Sequence, residues 1–133
     1  MYVFVHGFKG SNYDLRLWKD AIKLRGCDKE VLVFSPQCNE GVRSEDDIAE
    51  MGYRLAMELR DWVLEHCPKE NFKKISFVAH SIGGMVVRAA LPHLERYQHK
   101  MYSLVTLGTP HLGYLVNTKT VIKSGFWFLR KMK

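Results

Sequence analysis

Apolar residues along this chain fall into two alternating patterns. Four short runs, "YVFVH" (2–6), "EVLVFS" (30–35), "KISFVA" (74–79) and "YSLVTLG" (102–108), are rich in Val, Ile, Phe and Tyr. Three are nearly continuous in apolar character, which predicts strands buried on both faces of a parallel sheet covered by helices. Between them lie segments of helical period. "SNYD" (11–14) and "SEDD" (44–47) have the form that closes a helix N-terminus. The first predicts a helix running to about Arg25, with Gly26 as its stop. The second predicts the longest helix, in which Ile48, Met51, Leu55, Leu59, Trp62, Val63 and His66 recur at steps of three and four before Pro68. A third helix should follow residue 81 and break near Pro92, and a fourth should occupy the basic tail. Trp18 and Trp62 fall on apolar helix faces and are expected in the core. Strand–helix alternation of this kind implies βαβ units and an α/β fold.

The boundary at "ISFVAHSIGG" (75–84) is abrupt: a strand-like run ends at Ala79, Ser81 follows, and two glycines open a helix. A serine on a tight strand-to-helix turn is pushed out at the carboxyl end of the sheet, where the helix N-terminus points unpaired N–H groups at it. Residues two before and two after it must be small, and here they are Ala79 and Gly83. Gly84 lets the helix approach the sheet. Such a serine could attack an acyl carbon, provided that backbone donors hold the resulting oxyanion. Ile82 N–H is one candidate donor. The loop "VHGFKG" (5–10) offers the other, with Gly7 freeing the backbone and Phe8 placed to donate. The two loops meet only if the first and third strands are adjacent, with the second outside the first. His6 and His80 read as residues that orient these loops.

Taken together, "VFVHGFKGSNYDLRLW", "KISFVAHSIGGMVVRAAL" and "LVTLGTPHLG" resemble, in that order and over nearly the whole chain, the lipase-like serine esterases, a eukaryotic branch of the α/β-hydrolases. The resemblance implies an α/β-hydrolase-like parallel sheet of about four strands in the order 2-1-3-4. It also implies a carboxylic-ester hydrolase acting on lipid-type esters; the domain is expected to be cytoplasmic, from its cysteines, and to use no metal or cofactor. In it Ser81 would be the nucleophile, and Phe8 and Ile82 would be the oxyanion donors. Where the family motif usually carries glycine, this chain has Ala79.

A serine needs a base, and the base an orienting acid. After Ser81 the chain holds no aspartate, and its one acid is Glu95. Glu95 lies fourteen positions on, roughly 20 Å away along a helix rising about 1.5 Å per residue, toward the opposite end of the sheet. Of the later histidines, His93 and His99 fall beyond that helix. His111 lies just past the fourth strand on the serine's side, but the resemblance places its "GTPHLG" in a loop that shapes the site. The expectation is therefore one domain over residues 1–133, the N-terminal part of the full fold, cut short of the strands that carry acid and base. On its own it should have little hydrolytic activity. The alternative is a non-catalytic module of the same fold that binds a lipid or protein partner through the same cleft.

Composition changes this picture little. The chain has 133 residues, 47% of them hydrophobic and 26% charged, as in ordinary globular domains. The formal net charge of +6 is mostly local: residues 116–133 carry five Lys and Arg and no acid. That distribution argues against nucleic-acid binding, which needs a basic face across the fold. The tail "TVIKSGFWFLRKMK" interleaves aromatics with basic residues, so residues 116–133 are a candidate peripheral membrane contact. They would otherwise be a cap beside the acyl pocket or a helix packing on further strands. Cys27, Cys38 and Cys67 are irregularly spaced and fit reduced thiols. Neither a signal peptide nor a membrane span is expected.

Overall fold

The computed structural model describes residues 1–25 and 31–112. It contains four parallel strands, β1 (Tyr2–Val5), β2 (Val33–Phe34), β3 (Ile75–His80) and β4 (Met101–Leu107), in the spatial order β2-β1-β3-β4. Helices α1 (Arg16–Arg25), α2 (Ile48–His66) and α3 (Gly83–Ala90) connect them. The strand order is the one expected from the sequence. Its register pairs Val5 with Ala79, so that the loop after β1 and the turn after β3 emerge side by side. The expected basic-tail helix and membrane contact of residues 116–133, the helix stop at Gly26, and Cys27 lie outside the described residues.

Alternation along the strands divides the core. Val3, Val5, Ile75, Phe77 and Ala79 face α2 and α3, joining Leu55, Leu59, Val63 and Val87 in the main cluster. Phe4 and Val78 point the other way, toward Leu15 and Ile22 beside α1. On the main face the predicted helical stripe holds at Met51, Leu55, Leu59 and Val63, at most 1% exposed, while Ile48 is half-buried and His66 exposed. Each of the four buried residues contributes about 1.5–3 kcal/mol through burial. Trp62 is half-buried between Phe34 and His66, its ring stacked on the imidazole at 4.6 Å. Among the described helices, none is long and apolar enough to cross a membrane.

Three expectations need correction. β4 is not buried on both faces: Tyr102 and Val105 are 65% and 46% exposed. It borders the sheet with only β3 beside it among the described strands. Trp18 is not in the core but 50% exposed. The stripe by which α1 reaches the sheet is Leu15 and Ile22, and Trp18 sits at its border. Finally, Ser44 does not cap α2. The cap is Asp47, whose carboxylate accepts from Ala49 N–H at 2.8 Å, while residues Gly41–Glu45 form a separate 3-10 turn. In the other "S-x-x-D" motif, by contrast, Ser11 and Asp14 do bond to each other ahead of α1.

Candidate active site

Ser81 is the first residue after β3 and holds a left-handed backbone with φ of 53°. Left-handed geometry costs a residue with a side chain roughly 1–2 kcal/mol, so surrounding contacts must enforce it. They are visible. Ser81 N–H donates to Leu107 O on β4 at 2.9 Å, and Ser81 O accepts from the Thr109 hydroxyl at 2.7 Å. α3 then starts at once. Its first bonds are donated by Gly84 and Met85, so the N–H groups of Ile82 and Gly83 precede them and lie at the helix's positive end. Ile82 itself is buried, and its side chain anchors the turn in the main core.

The loop after β1 lies directly against this turn. A methyl on Gly7 would sit 2.9 Å from Ser81 Cβ and 3.0 Å from His80 Nδ1, so only glycine permits the approach. Across the same contact, a methyl on Gly83 would meet His6 O at 2.6 Å and Val5 O at 2.7 Å. Gly84 packs beneath Thr109, whose Cγ2 would be 2.7 Å from an added methyl. Gly83→Ala should therefore cost about 1–3 kcal/mol through overpacking against backbone that cannot rotate away. A denaturant midpoint lowered at unchanged slope is the measurement.

His6 is 5% exposed and its Nδ1–H donates to Gly7 O at 2.9 Å, which steers the loop. Phe8 is half-buried against the main core, with Lys9 Nζ 5.4 Å from its ring centre. His80 is exposed beside Gly7. Ser81, Ile82, Gly83, Gly84, His6, Gly7, Phe8 and His80 thus form one cluster at the carboxyl end of β1 and β3.

His111 lies at the same end, because β4 runs parallel to β3 with Leu107 opposite His80. Its Nε2 bonds the Thr106 hydroxyl at 3.0 Å and its carbonyl accepts from Arg88 at 3.1 Å. None of its hydrogen bonds to the described residues reaches a carboxylate. Met101 pairs with Ile75 at the start of β3, so the 3-10 turn Leu91–Lys100 with His93, Glu95 and His99 lies at the far end. Cysteine offers no competing nucleophile among the described residues. Burial, then the hydrogen bond and charge of Glu58, push the Cys38 thiol well above its usual range, and burial raises Cys67. No group of three or more His, Cys, Asp or Glu side chains among them could hold a metal ion.

A doubly covered parallel sheet with a left-handed serine between β3 and α3 defines the α/β-hydrolase fold. The chain belongs to the family described as "Putative serine esterase (DUF676)", whose model matches residues 1–133. It is similar to a protein of Saccharomyces cerevisiae named "Putative lipase ROG1", with 26% identity over 87 residues, 61% of this chain and 12% of that protein. Among solved structures, Bacillus licheniformis lipase BlEst2 in its mature form superposes with a TM-score of 0.58 at 27% identity, over 84% of this chain and 41% of the lipase. Phospholipase PlaB of Legionella pneumophila shares the fold at a TM-score of 0.60 and 16% identity, over 86% of this chain and 27% of its own. The chain thus spans less than half the length of each of these relatives.

Sequence reasoning missed two residues that hold this cluster: Thr109, and Ser44, whose Oγ accepts from Lys9 N–H in the loop after β1. The only signal for Thr109 was its place in "GTPH", directly after a strand. Ser44 was hidden by its match to a helix-capping motif.

Proposed function

We propose that this chain carries the nucleophile and oxyanion half of a serine carboxylester hydrolase acting on lipid-type esters. The observation that carries the reading is the left-handed Ser81 at the end of β3 with the Gly7 loop packed against it. Ser81 Oγ attacks the ester carbonyl and gives its proton to a general base. The carbonyl oxygen, now negative, sits between the N–H groups of Phe8 and Ile82. Collapse of this adduct expels the alcohol, which takes a proton from the protonated base, and leaves acyl-Ser81. Water, deprotonated by the same base, then releases the acid and regenerates the serine.

His111 shapes the site rather than serving as that base: its Nε2 is engaged by Thr106 and no acid among the described residues orients it. The lack of an aspartate after Ser81, and the place of Glu95 at the far end of the sheet, support a base and acid supplied from outside residues 1–133. The lipase and phospholipase named among the relatives support an ester of lipid type as substrate. The free thiols of Cys38 and Cys67 support a reducing compartment, the cytoplasm.

The test is covalent. A fluorophosphonate should form a single adduct with the full-length protein, located at Ser81 by peptide mass spectrometry. Folded protein that takes up no adduct would refute the esterase reading and favour a non-catalytic module binding a lipid or protein through the same cleft.

A further inference from the structure

A small cavity lies between the loop that carries Phe8 and α2, lined by His6, Gly7, Asn39, Ser44, Met51 and Ile82 among others. Phe8 packs against the main core, and beyond it hydrogen bonds from residues 40–45 help to fix the loop's backbone. Ser44 is 3% exposed; its Oγ accepts from Lys9 N–H at 2.6 Å and donates to Gly41 O at 2.6 Å. Gly41 N–H returns to Gly10 O at 3.2 Å, and the Glu40 carboxylate accepts from Asn12 N–H at 2.6 Å. Lys9 Nζ pairs with Glu45 at 2.9 Å. Asn39 fastens the base of the segment to α2 by donating to Met51 O at 2.9 Å.

The pivotal contact falls on a strained residue. Lys9 has φ of 52°, a conformation that lysine adopts only when held. The bond from its N–H fixes the peptide plane between Phe8 and Lys9, one residue beyond the Phe8 N–H. We infer that Ser44 is a positioning residue for the oxyanion donor, a strut that holds the Phe8–Lys9 backbone toward Ser81. This rests on the esterase reading above. It makes the segment between β2 and α2, otherwise remote from the reaction, part of the catalytic geometry.

The experiment uses the full-length protein with Ser44→Ala and Ser44→Cys. Two measurements are made: amide hydrogen exchange over residues 7–12, and turnover of a p-nitrophenyl ester split into kcat and KM. Ser44→Ala should speed exchange in that loop about tenfold or more and leave the core strands unchanged. It should also lower kcat by roughly 10- to 100-fold with KM near wild type, the scale expected for a displaced catalytic group. Ser44→Cys should fall between the two. Unchanged exchange would overturn the inference, as would faster exchange with kcat within twofold of wild type. Loss of folded protein in both variants would overturn it too, making Ser44 a core residue. If wild-type protein takes up no fluorophosphonate, the esterase reading itself has failed and the catalytic role of Ser44 goes with it. The exchange result then reports on the clamp alone.

Discussion

Replacing Ser81 with glycine should make the protein more stable and remove its covalent labelling entirely. The two effects have one cause. Ser81 occupies the left-handed region at φ of 53°, where a side chain costs roughly 1–2 kcal/mol and glycine costs nothing. Glycine loses more chain entropy on folding, about 0.5–1 kcal/mol, so the net gain is on the order of 0.5–1 kcal/mol. Ser81→Ala separates the terms: it deletes the hydroxyl but keeps a Cβ in the strained conformation, and its stability should stay close to wild type. Both variants should lose at least about three orders of magnitude in turnover, because no other group can form the acyl bond. Paired denaturation curves and fluorophosphonate labelling of the three proteins give the answer. A glycine variant less stable than the alanine variant would mean that the turn is not strained in solution. The comparison with Ala79→Gly is informative, since that change restores the residue usual in the family. Ala79 is fully buried in a strand, so glycine there should cost about 0.5–1 kcal/mol while labelling at Ser81 stays near wild type.

How much of this site can be read from sequence follows from the range of the forces involved. The turn is local: Ser81 needs Ala79 and Gly83 within two positions, and those residues are adjacent in the chain. The order β2-β1-β3-β4 comes with the resemblance to the α/β-hydrolases, because right-handed βαβ connections alone still allow several orders of four parallel strands. Exposure was not legible in the same way. "YSLVTLG" has the same apolar character as "KISFVA", yet β3 is buried and β4 is not, since burial depends on what lies beside a strand and not on its own composition. Ser44 shows the opposite failure. Its motif is correct for a cap, and α2 does begin nearby, but Asp47 stands closer to the helix and takes the role. The serine is then free to bond Lys9, thirty-five positions away, a contact that no local pattern encodes. Thr109 and Ser81 are likewise brought together only by the pairing of β3 and β4.

On the reading proposed above, a preparation of residues 1–133 should hydrolyse esters at least about 10³-fold more slowly than a longer chain that includes the acid and base, at equal concentrations of folded chain. The expectation rests on chemistry as well as on length. Serine hydroxyls ionise too weakly to attack without a base, and a triad lacking one member retains only what binding and the oxyanion site supply. Within these residues the acid nearest in sequence after the serine is Glu95, and it lies at the opposite end of β3 and β4. His111 is at the correct end but spends its Nε2 on Thr106 and meets no carboxylate among the described residues. Among the described strands β4 is an edge with Tyr102, Leu104 and Val105 exposed, and in the proposed reading further strands along it would bring an acid and a histidine to the same end as Ser81. Comparable ester turnover by the two preparations would show that His111 can swing from Thr106 to the serine, and would make this chain a self-sufficient enzyme. A reduced rate in His111→Gln within the short chain would confirm that outcome. In the longer chain the same substitution should lower kcat by less than about tenfold, because there the residue only shapes the site. The two preparations therefore assign the base between them, through opposite responses to one substitution.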